Sequence, residues 1–259
     1  VRFMDADGME TSYSVRATDN PRECGDVKFA IILVKAWQTE RVATQLATCF
    51  AKDGLALTLQ NGLGNRETLT RSLGAARVAL GSTTTGATLL GAGHVKAGGE
   101  GIISLEQNQA LGPFEEALRS AGFNVQVVEN ADALIWGKLI INAAINPLTA
   151  LLRAKNGELL KRPSARELMR ALATETAEVA RAESIQLPFD DPVKIAEDVA
   201  QKTSANTSSM LQDVMRGAPT EIDAICGAVV KAGKKHGIDT PVNKVCWQLI
   251  KALSNPSDL

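Results

Sequence analysis

Residues 131–152 read ADALIWGKLIINAAINPLTALL. Trp136, Leu139, Ile140 and Ala143 fall at i, i+3, i+4 and i+7, the spacing of one helical face. Apolar residues fill the other faces as well, and a helix that is hydrophobic all round belongs in a core rather than on a surface. The helical period persists, with interruptions, through 166–184, 221–236 and 242–253. Everything beyond 130–132 therefore reads as all-α.

Upstream of that stretch the pattern is different. Residues 27–34, VKFAIILV, form a nearly continuous apolar run, as expected of a strand covered on both faces. A helix near 38–51 and a second strand at 55–60, LALTLQ, complete a β-α-β unit whose strands should be parallel and whose crossover should be right-handed. Further strands are expected at 78–84, 101–105 and 125–128, with a helix at 113–121. The expected architecture is α/β over 1–130, a twisted sheet with helices on its faces, followed by an all-α part over 131–259. There is no internal repeat and no low-complexity tract.

Composition sets the outer limits. A chain of 259 residues that is 45% hydrophobic buries roughly three quarters of its unfolded surface, so its core needs neither disulfides nor metals. A net charge of −1 argues against a protein that neutralises phosphate backbones, and nucleic acid is not an expected partner. Cys24, Cys49, Cys226 and Cys246 lack ligand-like spacing and read as thiols in a reducing, cytoplasmic setting. His94 and His236, read as loop and helix-end residues, have no supporting cluster, so no metal is expected. No charge-free apolar run of about 18 residues occurs, so no membrane span is expected. The chain opens on Val1 rather than Met with no signal-like leader, which makes the numbered chain the expected remainder of a longer one.

The polar exceptions in a buried helix need partners. Lys138, Asn142 and Asn146 are four residues apart and form one stripe drifting by about 40° per step. A buried ammonium flanked by carboxamides is costly unless something polar faces it. The stripe either lines a small-molecule site or faces solvent or an interdomain groove. Pro147 should kink or break the helix. After the strand ending at Gln60 comes Asn61-Gly62-Leu63-Gly64-Asn65, a glycine-rich turn where open α/β sheets bind ligands, or else a plain turn that needs glycine. Lys35 sits at the matching end of the preceding strand. Pro219-Thr220-Glu221-Ile222-Asp223 has the spacing of a capping box opening a helix. Ser208 to Asp213, SSMLQD, is not accounted for by a cap alone.

In order along the chain, VKAWQT (34–39), QNGLGN (60–65), GSTTTGA (81–87), WGKLIINAAINPLTAL (136–151), SSMLQD (208–213) and PTEIDAICG (219–227) resemble the ketopantoate reductase family. The resemblance implies a Rossmann-like dinucleotide-binding domain, incomplete at its N-terminus, then an all-helical domain for substrate binding and dimerisation, with the active site in the cleft between them. It implies NADPH-dependent reduction of 2-dehydropantoate to (R)-pantoate in pantothenate biosynthesis. Lys138 would be the catalytic general acid, an ammonium placed where negative charge develops on the keto oxygen. At its unperturbed value of about 10.4 a lysine would suit this task without tuning. Asn142, Asn146, Asn156 and Ser209 would contact substrate; Lys35, Asn61, Ala87 and Glu221 would contact the cofactor, with Glu221 also orienting Lys138. No GxGxxG run occurs before Val27, and the family would place it upstream of Val1. Two other readings stand beside this one: a reductase of a different 2-keto acid, and a non-catalytic remnant or interaction module. A homodimer is compatible with the apolar helical part.

Overall fold

The computed structural model describes residues 1–254. It contains two compact units that are not continuous in sequence. The first comprises Val1–Leu33, Thr39–Gln60 and Arg66–Ala131; the second comprises Val34–Gln38, Asn61–Asn65 and the chain from Asp132 onward.

In chain order, the first unit holds β1 (Arg2–Met4), β2 (Glu10–Ser12), β3 (Val27–Ile32), α1 (Thr39–Ala47), β4 (Phe50–Thr58), most of α2 (Asn65–Leu73), β5 (Val78–Thr83), β6 (Ala87–Gly91), β7 (His94–Ala97), β8 (Ile102–Glu106), α3 (Gly112–Ser120) and β9 (Asn124–Val128). Five strands form one sheet in the order β3-β4-β5-β8-β9. The β-α-β unit is present: β3 and β4 are parallel, in register from Phe29 opposite Leu55 to Ile32 opposite Thr58. β5 continues parallel to β4, whereas β8 runs antiparallel to β5. Leu55, Leu57, Leu59, Ile103, Leu105, Phe114 and Val125 close the core between this sheet and α3.

Two features depart from expectation here. β3 lies at the end of the sheet order, and the run VKFAIILV is not covered on both faces: Phe29, Ile31 and Leu33 are exposed. A second, four-stranded sheet of order β2-β1-β7-β6 was not foreseen. Its strands are only three to five residues long, too short to show alternation. His94 is in β7 and pairs with Glu10 at 2.9 Å, so it is a strand residue and not a loop residue. A cavity of about 880 Å³ opens within this unit, lined by Phe3, Ile31, Leu59, Thr85, Val95 and Phe123 among others.

The second unit is helical: α4 (Ala131–Leu152), α5 (Pro163–Ala182), α6 (Pro192–Lys202), α7 (Ser209–Met215), α8 (Cys226–Lys235) and α9 (Pro241–Ser254). Trp136, Leu139, Ile140, Ala143 and Leu148 of α4 pack with Met169, Leu172, Met210, Ile222, Val229 and Ile250 in one core. By length and composition α4 could cross a membrane, but 72% of its most apolar window is buried inside the protein. Its apolar length serves the core.

Pro147 does not break α4, which runs through it to Leu152. Just beyond the proline, the Thr149 hydroxyl donates to the carbonyls of Ile145 at 3.0 Å and Asn146 at 2.9 Å. Leu148 and Ala150 are almost wholly buried. Packing on this scale outweighs the roughly 3 kcal/mol that an internal proline costs. The expected helix over 221–236 begins later: Ile225 leaves the helical region at φ −102°, ψ −97°, and α8 starts at Cys226. Glu221 therefore does not open a helix. It sits in a tight turn in which Ile225 N–H donates to the Glu221 carbonyl at 3.1 Å.

Candidate active site

The residues nominated from sequence converge in the second unit, with one exception. Glu221 is buried at 6% exposure, and both carboxylate oxygens are engaged. Oε1 accepts from the Ala36 backbone N–H at 3.0 Å, and Oε2 accepts from Asn61 Nδ2 at 3.3 Å. Lys35 Nζ lies 3.8 Å from Glu221 Oε2 and 2.6 Å from Asp213 Oδ2. Segments distant in sequence thus meet at one carboxylate.

Local geometry explains why these segments can meet. Gly62 has φ +78° and Gly64 φ +90°, conformations that side chains resist. Gly62 has a second requirement, because a Cβ there would collide with the Ala224 carbonyl oxygen. That same oxygen accepts from Leu63 N–H at 2.9 Å. The glycine turn is thereby docked on the turn that carries Glu221, and Asn65 Nδ2 closes it by donating to the Asn61 carbonyl at 2.9 Å.

Lys138 occupies the polar stripe of α4 and is partly buried. Burial holds its pKa down, from 10.5 to about 8, with the Glu221 carboxylate opposing that shift. The expectation of an untuned lysine is therefore corrected: desolvation in the apolar helical core penalises the ammonium. Immediately before it, Gly137 faces Pro188 and Phe189, whose atoms would stand about 3.1–3.2 Å from a Cβ at that position. Only glycine lets that apolar segment lie so close beside the lysine.

Along the stripe, Asn142 is half-buried and Asn146 is 8% exposed. Asn156 is 7% exposed; its backbone N–H donates to the Asn206 carbonyl at 3.1 Å and its Nδ2 to Thr203 Oγ1 at 2.8 Å. Asn156 Oδ1 is buried without a hydrogen-bond partner among the described residues. Ser209, the first residue of α7, is exposed, whereas its neighbour Ser208 is buried, accepts from Leu211 N–H at 3.1 Å and lies 2.7 Å from Thr149 Oγ1. Ala87 stands apart from this group. It is exposed at the start of β6 in the first unit.

Sequence reasoning did not nominate Asp213 or the Ala36 N–H. Asp213 is 5% exposed. Its signal was the SSMLQD run, where a carboxylate falls on the buried side of a short helix. The Ala36 N–H, a backbone group, leaves no trace in residue identity. No group of three or more His, Cys, Asp or Glu residues able to hold a metal occurs among the described residues.

Residues 1–110 match the family described as ketopantoate reductase PanE/ApbA, and residues 130–254 match the family described as its C-terminal part. The chain belongs to the ketopantoate reductase family. Among curated members, the 2-dehydropantoate 2-reductase of Archaeoglobus fulgidus is 39% identical over 246 residues, covering 93% of this chain and 80% of that one. The enzyme of the same name from Vibrio cholerae is 36% identical over 231 residues, covering 86% and 76%. The ketopantoate reductase structure from Ralstonia eutropha superposes with a TM-score of 0.92 at 30% identity, covering 98% of this chain and 84% of that one. D-mandelate dehydrogenase solved with NADH and anilino(oxo)acetate gives a TM-score of 0.88 at 25% identity, covering 100% and 86%. Among ketopantoate reductases and their structural neighbours, the Rossmann-like sheet followed by a helical region is thus the shared architecture.

Proposed function

We propose that this chain acts as a 2-dehydropantoate 2-reductase, with NADPH as reductant and Lys138 as the general acid. The observation that carries the proposal is the setting of Lys138 among the buried apolar residues of α4, with the buried Glu221 carboxylate favouring its charged form. A lysine set in a largely apolar helix, its pKa lowered to about 8 by burial, a shift opposed by one buried carboxylate, has the properties of a proton donor at neutral pH. The identities of 31–39% to several curated 2-dehydropantoate 2-reductases support the substrate.

Lys35 and Asn61 follow the carboxyl ends of the adjacent parallel strands β3 and β4, where open parallel sheets take nucleotides. Together with Ala87 and Glu221 they are the residues assigned to the cofactor. The buried Glu221 carboxylate, already gripping Asn61 and the Ala36 N–H, fixes two of these elements and fits that role. Bound, the nicotinamide would supply hydride to the keto carbon. As negative charge grows on the keto oxygen, the Lys138 ammonium stabilises it and delivers the proton. Asn142 and Asn146 on the same stripe, with Ser209, are assigned to orienting the substrate. Asn156 Oδ1, a buried acceptor without a partner among the described residues, suits the substrate hydroxyl.

A reductase of another 2-keto acid is the second reading, favoured by the likeness to D-mandelate dehydrogenase. The test is oxidation of NADPH and of NADH by the full-length protein with 2-dehydropantoate, 2-oxopantoate analogues lacking the hydroxyl, and benzoylformate. Turnover should be highest with 2-dehydropantoate and NADPH. In Lys138→Ala it should fall by roughly 10²–10⁴, the range for a positioned acid. Near-normal turnover in that variant would overturn the assignment of Lys138, and preference for benzoylformate would favour the second reading.

A further inference from the structure

Around Glu221 the charges alternate. Asp213 and Glu221 are buried carboxylates, Lys35 lies between them, and Lys138 feels Glu221 from α4. Lys35 is not shared evenly: its ammonium is 2.6 Å from Asp213 and 3.8 Å from Glu221. Glu221 meanwhile takes its hydrogen bonds from two uncharged donors, the Ala36 N–H and the Asn61 amide. A carboxylate held by neutral donors keeps its full charge available to a second cation.

We propose that Asp213 is a positioning residue that holds Lys35 off Glu221, so that the Glu221 carboxylate is left to support the charged form of Lys138. The idea rests on the reading of Lys138 as the proton donor. Without Asp213, Lys35 has one carboxylate within reach, already inside ion-pair distance. Its closure on Glu221 would neutralise the charge that opposes the desolvation of Lys138. Glu221 is the charged group that acts on Lys138, Lys35 and Asp213 stand behind it, and the segment packed against Gly137 brings the apolar Pro188 and Phe189. The net charge of the four groups is zero when all are ionised, and each single substitution shifts it in a defined direction.

The test follows the Lys138 ammonium directly, by NMR titration of the full-length protein labelled with [13Cε]lysine, the resonance being assigned by its loss in Lys138→Met. In the native protein it should titrate near pH 8. In Asp213→Asn it should titrate lower by roughly half a unit or more, and in Lys35→Met higher by a similar amount. In the double variant Asp213 has no Lys35 to hold, so Lys138 should titrate as in Lys35→Met. A direct effect of the Asp213 charge on Lys138 would bring the double variant back close to the native value, and a purely structural role would lower stability or turnover without moving the titration; either would overturn the proposal. Unchanged titration in both single variants, or shifts of the same sign, would overturn the proposal. If Asp213→Asn fails to fold, Asp213→Ser takes its place with the same expected shifts, alone and combined with Lys35→Met. The titration needs no turnover, so inactivity of the native protein toward 2-dehydropantoate would count against the proposed function and not against this pairing. Where turnover is present, the basic limb of kcat/KM should move in the same order.

Discussion

Replacing Lys138 by Met keeps the length and apolar stem of the side chain but removes its charge, and the structure sets the size of the effect on stability. The folded chain releases the Lys138 proton near pH 8, while the unfolded chain holds it to about 10.5. Between those values the unfolded state binds more protons, so raising the pH stabilises the fold; below pH 8 the protein carries the full penalty of a desolvated ammonium. That penalty is at most about 3.5 kcal/mol at roughly 1.4 kcal/mol per pH unit, and partial exposure of the side chain trims it to about 1–2 kcal/mol. Lys138→Met should therefore be more stable than the native protein by that amount at pH 7, while being inactive. The gap should close as the pH rises from 8 to 10.5. Trp37, Trp136 and Trp247 all lie in the helical unit, so urea unfolding followed by tryptophan fluorescence reports on the relevant part of the chain. The raised thiol values of Cys226 and Cys246 affect both proteins alike and drop out of the difference. A variant that is less stable at pH 7, or a gap that persists to pH 10.5, would refute the reasoning.

Two other substitutions probe the supports of the site. Gly62→Ala forces a side chain into positive φ and against the Ala224 carbonyl; we expect a loss on the order of 2 kcal/mol or more in urea unfolding, with turnover falling because Asn61 and Glu221 are no longer held together. Glu197 accepts from Arg166 at 2.6 and 2.8 Å and from Arg170 at 2.8 Å, which holds its pKa down to about 2. That stabilisation is present above about pH 4.5 and disappears as the pH falls towards 2. Because the two arginines are half-exposed, Glu197→Gln should cost only about 1 kcal/mol at pH 7, and acid titration of stability by circular dichroism should be flatter in the variant.

Periodicity made much of the architecture legible. The all-round apolar character of 131–152 identified the central helix, because burial on every side leaves no polar face to read. What it could not reveal was how the proline would be tolerated, since that depends on the Thr149 hydroxyl and on neighbours from other helices. The exposed face of β3 was invisible for a related reason: apolar content reports what a strand could bury, and the elements packed over the sheet decide what is buried. Lys138 and Asn146 were nominated through their cost in an apolar helix. Glu221 was nominated as the opening of a helix, whereas it lies in a turn, because its capping-box spacing competes with tertiary hydrogen bonds to Ala36 and Asn61 that spacing cannot show. Asp213 was missed for the same reason, its partner being 178 residues away.

The interleaving of the two units bears on any attempt to take this protein apart. A cut near residue 131 follows the sequence and would isolate a piece rich in helix. It would also discard the pentapeptides 34–38 and 61–65, which belong to the helical unit although they are encoded among the strands. Asp213 and Glu221 would then lose Lys35, Asn61 and the Ala36 N–H together, leaving two carboxylates stripped of the groups that make their burial tolerable. For this chain, the contiguous segment and the compact unit are different objects. Fragments and chimeras must be drawn along the second.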